Sequence, residues 1–284
     1  MGRTEMQDAV PMTLGQEFEA FAATLTEEIE RLNQMAKFFQ EINMGATAIG
    51  TGINAAPGYA ELVTGKLSAI VGMEFIKATN LIEATPDTGS YVIYSSALKR
   101  LAIKLSKISN DLRLLSSGPR CGFNEINLPA LQPGSSIMPG KVNPVIPEVT
   151  NQASFLAIGL DTTVMLAASA GQLELNVMEP VISFAVFTQM KVLTNAMIAL
   201  REKCVDGITA NAEHTKDLVM NSLGIVTLLK PHFGYMLCAE MAKEGYTEGK
   251  SLHQIVVEER KLMTEEKWNE VFSFQNLIAP KFEM

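Results

Sequence analysis

The chain has 284 residues, 47% of them hydrophobic but only 7% aromatic, and carries a formal net charge of −8. That length accommodates one to three domains, with an aliphatic core in which 16 Met act as adaptable filler. The acidic balance excludes the basic footprint of a nucleic-acid binder or of a protein that lies on anionic lipid, though a local basic site for an anionic substrate remains allowed. Cys121, Cys204 and Cys238 are scattered without metal-ligand spacing and cannot all pair, which suits a reducing cytoplasm. No basic-then-apolar leader opens the chain. No uninterrupted apolar run looks long enough to span a bilayer, since Glu179 and Lys191 interrupt the best candidate.

Met1–Val10 is a short polar opening in which Thr4 and Asp8 have turn-capping chemistry. Thr13 and Gln16 form a capping box for a long helix, whose apolar residues Leu14, Phe18, Phe21, Leu25, Ile29, Leu32, Met35, Phe39 and Ile42 recur in steps of three and four. That seam has the period of a helical bundle. Asn43–Gly58 reads as loop; its Gly50-Thr51-Gly52 lacks the third glycine and the strand–helix context of a dinucleotide fingerprint. Shorter helices are expected at Tyr59–Val71 and Lys77–Ala84, punctuated by Thr85–Gly89.

A second long helix is expected over Ser90–Ser116, with Leu98, Leu101, Leu105, Ile108, Leu112 and Leu115 as its seam. Its cations Lys99, Arg100, Lys104, Lys107 and Arg113 lie largely off that seam, as a solvated face would, or line a neighbour's pocket in an oligomer. Gly118-Pro119 ends it. Glu148–Ala170 and Val181–Lys203 are apolar nearly all round, so both must be buried, most simply at the centre of a multi-subunit helical core. Cys204–Ala210 reads as a joint, and Thr264-Glu265-Glu266 as a helix start in the last part. His214, His232 and His253 lack ligand spacing and read as packing or solvated residues. No alternating run suggests a sheet. The expected fold is all-α: a long-helix bundle over residues 1–206 and a small C-terminal helical domain over 207–284.

Gly134–Glu148 stands apart, because it packs glycines, prolines, serines, Lys141 and Asn143 between long helices. Glycine and proline set unusual backbone angles. Pro147 and Glu148 have the chemistry of a helix first turn, and a polar loop running into a helix N-terminus is a plausible anion site. A nucleotide P-loop is excluded: five residues rather than four separate Gly134 from Gly140-Lys141, and Val142 stands where Ser or Thr would hold magnesium. The stretch resembles the signature loop of the aspartase/fumarase superfamily, Gly-Ser-Ser-x-Met-x-x-Lys-x-Asn-Pro, at every specified position. Gly2-Arg3-Thr4…Asp8-Ala9 is similar to a second segment of that family, found in the middle of its chains. Val145-Ile146-Pro147-Glu148, Gln7–Pro11 and Glu174–Pro180 resemble its aspartase branch.

The resemblance implies reversible deamination of L-aspartate to fumarate and ammonia, with no cofactor, in a cytoplasmic homo-oligomer, a tetramer, whose active sites are shared between subunits. It implies Ser135 as the base at Cβ and Ser136 as a donor to the reacting carboxylate. Lys141 and Asn143 would hold the α-carboxylate, with Thr4 assisting, and Gly134 and Gly140 would hinge the loop. Glu148 is expected just behind these contacts. Glu5 departs from the family, many of whose members have His there; it is kept as a substrate contact. The family's first signature region, which precedes Gly-Arg-Thr, is absent, implying a C-terminal portion with little activity alone. A fumarase-type lyase and a non-catalytic oligomerisation subunit are the alternatives.

Overall fold

A computed structural model describes residues 1–279; positions 280–284, assigned above to the C-terminal domain, lie outside the described residues. The chain clusters into two compact units. One holds Met1–Phe21, Gly118–Asn127 and the described residues from Thr209 onward; the other holds Ala22–Ser117 and Leu128–Ile208. The C-terminal part is therefore joined by the opening segment and by residues 118–127, which the sequence reading placed in the bundle. The reason is non-local pairing. Strand β5 (Ile126–Asn127) pairs antiparallel with β6 (Thr209–Ala210), and Asn211 donates its backbone N–H to Glu125 O at 2.9 Å.

The larger unit is a bundle of α3 (Gly89–Leu115), α4 (Val145–Ser169) and α5 (Glu179–Lys203), with α4 packed against both neighbours. The expected seam of α3 is its core: Leu98, Leu101, Leu105, Ile108, Leu112 and Leu115 are all buried. Polar groups pin the helices together inside that apolar frame. Asp161 accepts from Ser95 Oγ at 2.8 Å and pairs with Lys99 Nζ at 2.5 Å. Gln189, fully buried, donates to Ala157 O at 2.9 Å. Asn151 donates to Ser106 Oγ at 2.8 Å and to Asn110 Oδ1 at 3.0 Å. Such buried polar contacts favour one register over its neighbours, although Asn151 Oδ1 itself has no hydrogen-bond partner among the described residues.

Helix α1 (Leu14–Ala36) opens with the expected capping box: Gln16 N–H donates to Thr13 Oγ1 at 3.0 Å, and Thr13 N–H to Gln16 Oε1 at 2.9 Å. Its seam is half-buried rather than buried, and Ile29 is exposed. Its one buried residue is Glu28, 1% exposed, whose Oε1 lies 2.6 Å from Lys104 Nζ and 3.0 Å from Arg100 Nη2. Two of the cations read as a solvated face therefore neutralise a buried carboxylate. Helix α2 (Tyr59–Val71) forms over its expected residues. No helix forms over Lys77–Ala84. Ile76–Lys77 (β4) pairs parallel with Glu41–Ile42 (β3), and Asn80 Oδ1 accepts from the amides of Ile82 and Glu83. That side-chain turn competes with a helix for the same donors.

Two segments, Val145–Ser169 and Glu179–Gly207, prove long and apolar enough to cross a membrane, a correction to the sequence reading. Thr150, Asn151, Ser154 and Asp161 line the buried face of α4, and Gln189 that of α5. Both helices thus pack as bundle members, and their apolar faces lie outside: Phe155, Leu156, Phe184 and Phe187 are each at least half exposed.

The smaller unit has its own core around Ile225, Leu229, Met241, Leu252, Ile255 and Trp268. After α6 (Ala212–Asn221), these come from a 3₁₀ segment at Leu223–Leu229, α7 (Lys230–Glu248), a π-turn at Gln254–Glu259 with Leu252 just before it, and α8 (Glu265–Val271). Thr264 caps α8 as expected, accepting from Lys267 N–H at 3.3 Å. Among the described residues the fold is all-α apart from three two-residue ladders and two isolated β-bridges.

Candidate functional site

The signature loop folds on itself before it delivers the chain to α4. Gly134 N–H donates to Lys141 O at 2.6 Å, Lys141 N–H to Met138 O at 3.2 Å, and Asn143 Nδ2 to Gly134 O at 3.1 Å. Glycine is required at 134: a Cβ there would sit 2.8 Å from Lys141 O and 3.0 Å from Asn143 Oδ1. Gly140 adopts φ 81°, which only glycine takes without strain. Inside this closed turn Ser135 Oγ accepts from two backbone amides, Ile137 at 3.1 Å and Met138 at 3.3 Å. Ser136 and Lys141 are exposed and Asn143 is half-buried. Lys141 makes no ion pair among the described residues. Helix α4 begins at Val145, three residues before the expected start, so Glu148 lies within its first turn, where the dipole favours a carboxylate.

Thr4 and Glu5 belong to the other unit. Strands β1 (Arg3–Thr4) and β2 (Gln7–Asp8) make a hairpin in which Thr4 faces Gln7 and Arg3 faces Asp8. Its two loop residues, Glu5 and Met6, both have left-handed φ, 51° and 63°, as a type I′ turn requires. That turn prefers Asn-Gly, and each side chain held there costs about 1–3 kcal/mol. The base is firmly held. Arg3 pairs with the buried carboxylate of Glu125 and lies 4.2 Å over the Phe123 ring, while Ser222 donates to Asp8 Oδ2 at 2.6 Å. The tip, Thr4 to Gln7, is exposed. Sequence reasoning missed these anchors; the regular placing of Arg3 and Asp8 around Thr4 was the available signal.

Other reactive groups are poor candidates for the chemistry. Burial pushes the Cys204 thiol up to about 11 and also raises that of Cys238, so neither supplies a thiolate near neutrality. His214 bonds Phe123 O at 2.8 Å, and His253 sits between Glu258 and Glu265 against the Trp268 ring. Among the described residues no cluster of His, Cys, Asp and Glu is arranged to hold a metal. A cleft of about 640 Å³ in the larger unit contains none of the expected site residues. Glu41, Glu74, Glu83, Asp87 and Glu179 line it against the single cation Lys37, the wrong balance for a dicarboxylate.

The comparisons agree with the loop. A family model described as "Lyase" matches residues 1–159, and one described as "Fumarase C C-terminus" matches residues 225–279. Curated aspartate ammonia-lyases from Helicobacter pylori (strain ATCC 700392 / 26695) and Escherichia coli (strain K12) are 54% and 56% identical, over 99% and 100% of this chain. The chain spans 60% and 59% of their lengths. The crystal structure titled fumarate lyase:delta crystallin from Brucella melitensis bound to cobalt superposes with a TM-score of 0.91 at 51% identity, over 95% of this chain and 58% of that one. Recombinant class II fumarase from Schistosoma mansoni gives 0.92 at 34% identity, over 99% of this chain and 62% of that one. With its signature loop intact and a family model matched over more than half its length, the chain belongs to the lyase family of the aspartase/fumarase superfamily.

Proposed function

We propose that the signature loop acts on L-aspartate, Ser135 removing a Cβ proton so that ammonia leaves and fumarate forms. The observation that carries this reading is the pair of amides on Ser135 Oγ. A serine hydroxyl is a poor base unless its alkoxide is stabilised, and two fixed N–H donors aimed at that oxygen supply such stabilisation without reorganising during the reaction. Loss of the Cβ proton puts a second negative charge on the adjacent carboxylate, giving an enediolate-like species. Ser136 donates to that charge. Lys141, exposed and without an ion pair, holds the α-carboxylate with the Asn143 amide, which has one N–H beyond the bond to Gly134 O. Thr4 and Glu5 would contact the substrate from another subunit of the assembly, Glu148 lies behind the loop groups, and Gly134 and Gly140 let the loop move over the ligand. Every group in this scheme is a protein side chain or amide, so it calls for no cofactor.

The two relatives named above as aspartate ammonia-lyases, at 54% and 56% identity, favour aspartate over the malate of a fumarase at 34%. The test is an ultraviolet assay for fumarate with L-aspartate or L-malate offered to the protein. Fumarate from aspartate and not from malate is expected; turnover of malate alone would replace this reading by the fumarase one.

The protein is further proposed to be a cytoplasmic homotetramer with shared sites. The exposed aromatic residues of α4 and α5 support assembly, since apolar faces left in water mark interaction sites. Its three free thiols suit a reducing compartment. A sedimentation series should show a tetramer that Phe184→Glu with Phe187→Glu dissociates. A wild-type chain that stays monomeric across the series would refute the assembly.

A further inference from the structure

We propose that His253 is a proton-operated clasp in the smaller unit. Charged, it ties the π-turn at Gln254–Glu259 to the start of α8; uncharged, it holds only one of them.

The donor count is the first argument. His253 Nε2 lies 2.9 Å from Glu265 Oε2, and Nδ1 lies 3.3 Å from Glu258 Oε1. Each ring nitrogen thus faces a carboxylate, which accepts and does not donate. A neutral imidazole has one N–H; only the charged ring has two. With one proton gone, a ring lone pair is left against carboxylate oxygen, and that contact turns repulsive. Among the described residues neither carboxylate has a second ion pair. Lys250 is engaged by Glu248 and Glu259, Arg260 by Glu240 and Glu244, and Lys267 by Glu270, so none of the three is free to replace the ring. A cation near a helix start is disfavoured by the dipole, and the two carboxylates offset that.

The backbone is the second argument. In an α-helix the residues beside His253 would be Val256 and Val257, three and four positions on. The π-turn is wider, with bonds between residues five apart: Arg260 N–H donates to Ile255 O at 2.9 Å. That widening sets Glu258, five residues on, beside the ring. Ser251 and Gln254 fix the start of the turn reciprocally, Gln254 N–H to Ser251 Oγ at 3.2 Å and Ser251 N–H to Gln254 Oε1 at 2.9 Å. Leu252, Ile255 and Val256 are buried beneath it. The His253 side chain remains 32% exposed, open to exchange of its proton with water. On its other side it meets the edge of the buried Trp268 ring, centroids 5.2 Å apart.

Histidine ordinarily changes its charge between about pH 5 and pH 8, so amide hydrogen exchange is compared at those two values, with the intrinsic rates divided out. The amide read is that of Arg260, which closes the π-turn. In the wild-type chain we expect its protection to fall about threefold from the lower pH to the higher, the scale of an exposed ion pair. His253→Arg keeps two donors at both values and should hold the higher protection throughout. Glu258→Gln should remove most of the fall. Trp268, the only tryptophan in the sequence, gives a second readout: its emission should be quenched at the lower pH, and this step should vanish in His253→Gln. No fall in the wild type, or an equal fall in His253→Arg, would overturn the proposal. So would an emission step that survives in His253→Gln.

Discussion

On the proposed aspartate reaction, Ser135→Ala should lower kcat about a thousandfold, within the range a positioned base contributes, with KM changed less than about threefold. The reasoning is local. Alanine removes the one oxygen on which the Ile137 and Met138 amides converge, and it leaves the Gly134–Lys141 and Asn143–Gly134 bonds that close the loop. The freed amides sit in a loop open to water, so the fold loses little. Steady-state kinetics with a melting curve as control separates the two effects. Ser135→Ala protein that keeps more than a tenth of wild-type kcat would remove Ser135 from the chemistry.

Lys104→Ala combined with Arg100→Ala should destabilise the bundle by about 3–5 kcal/mol, the usual loss when a buried charge is stranded. Glu28 is almost wholly buried, and its Oε2 has no hydrogen-bond partner among the described residues. Lys104 is the nearer of its two cations and the better covered, 22% exposed against 45% for Arg100. Glu28→Met should cost far less, under about 1 kcal/mol, because it removes the buried charge and leaves two cations able to reach water. Urea titration of the two variants tests the asymmetry. If Glu28→Met proved the more damaging, the carboxylate would be stabilising in its own right. Exposed pairs such as Lys107–Asp111 should contribute under about 1 kcal/mol by the same measurement.

What the sequence carried and what it did not follow from the range of the interactions. The α3 seam was legible because a 3.6-residue period is local, and all six of its residues are buried. The Thr13–Gln16 box was legible because its partners lie three residues apart. The Lys77–Ala84 segment was misread because Ile76–Lys77 pairs with Glu41–Ile42, far away in the chain. The grouping of Met1–Phe21 and residues 118–127 with the C-terminal helices depends on equally distant contacts, Arg3–Glu125 and Asp8–Ser222. In the site, the loop's residue types were plain from resemblance. The amides of Ile137 and Met138 were not, since a backbone donor has no letter of its own. The I′ turn at Glu5-Met6 was hidden for a related reason: its residues contradict the preference by which such turns are found.

The central claim is that the Gly134–Glu148 loop holds the two carboxylates of the substrate. It is tested most directly by a crystal structure of Ser135→Ala protein with L-aspartate bound. The α-carboxylate should lie within hydrogen-bond reach of Lys141 Nζ and Asn143, with Cβ facing the position vacated by the Ser135 hydroxyl. Aspartate bound away from this loop, with Lys141 left in solvent, would contradict the account.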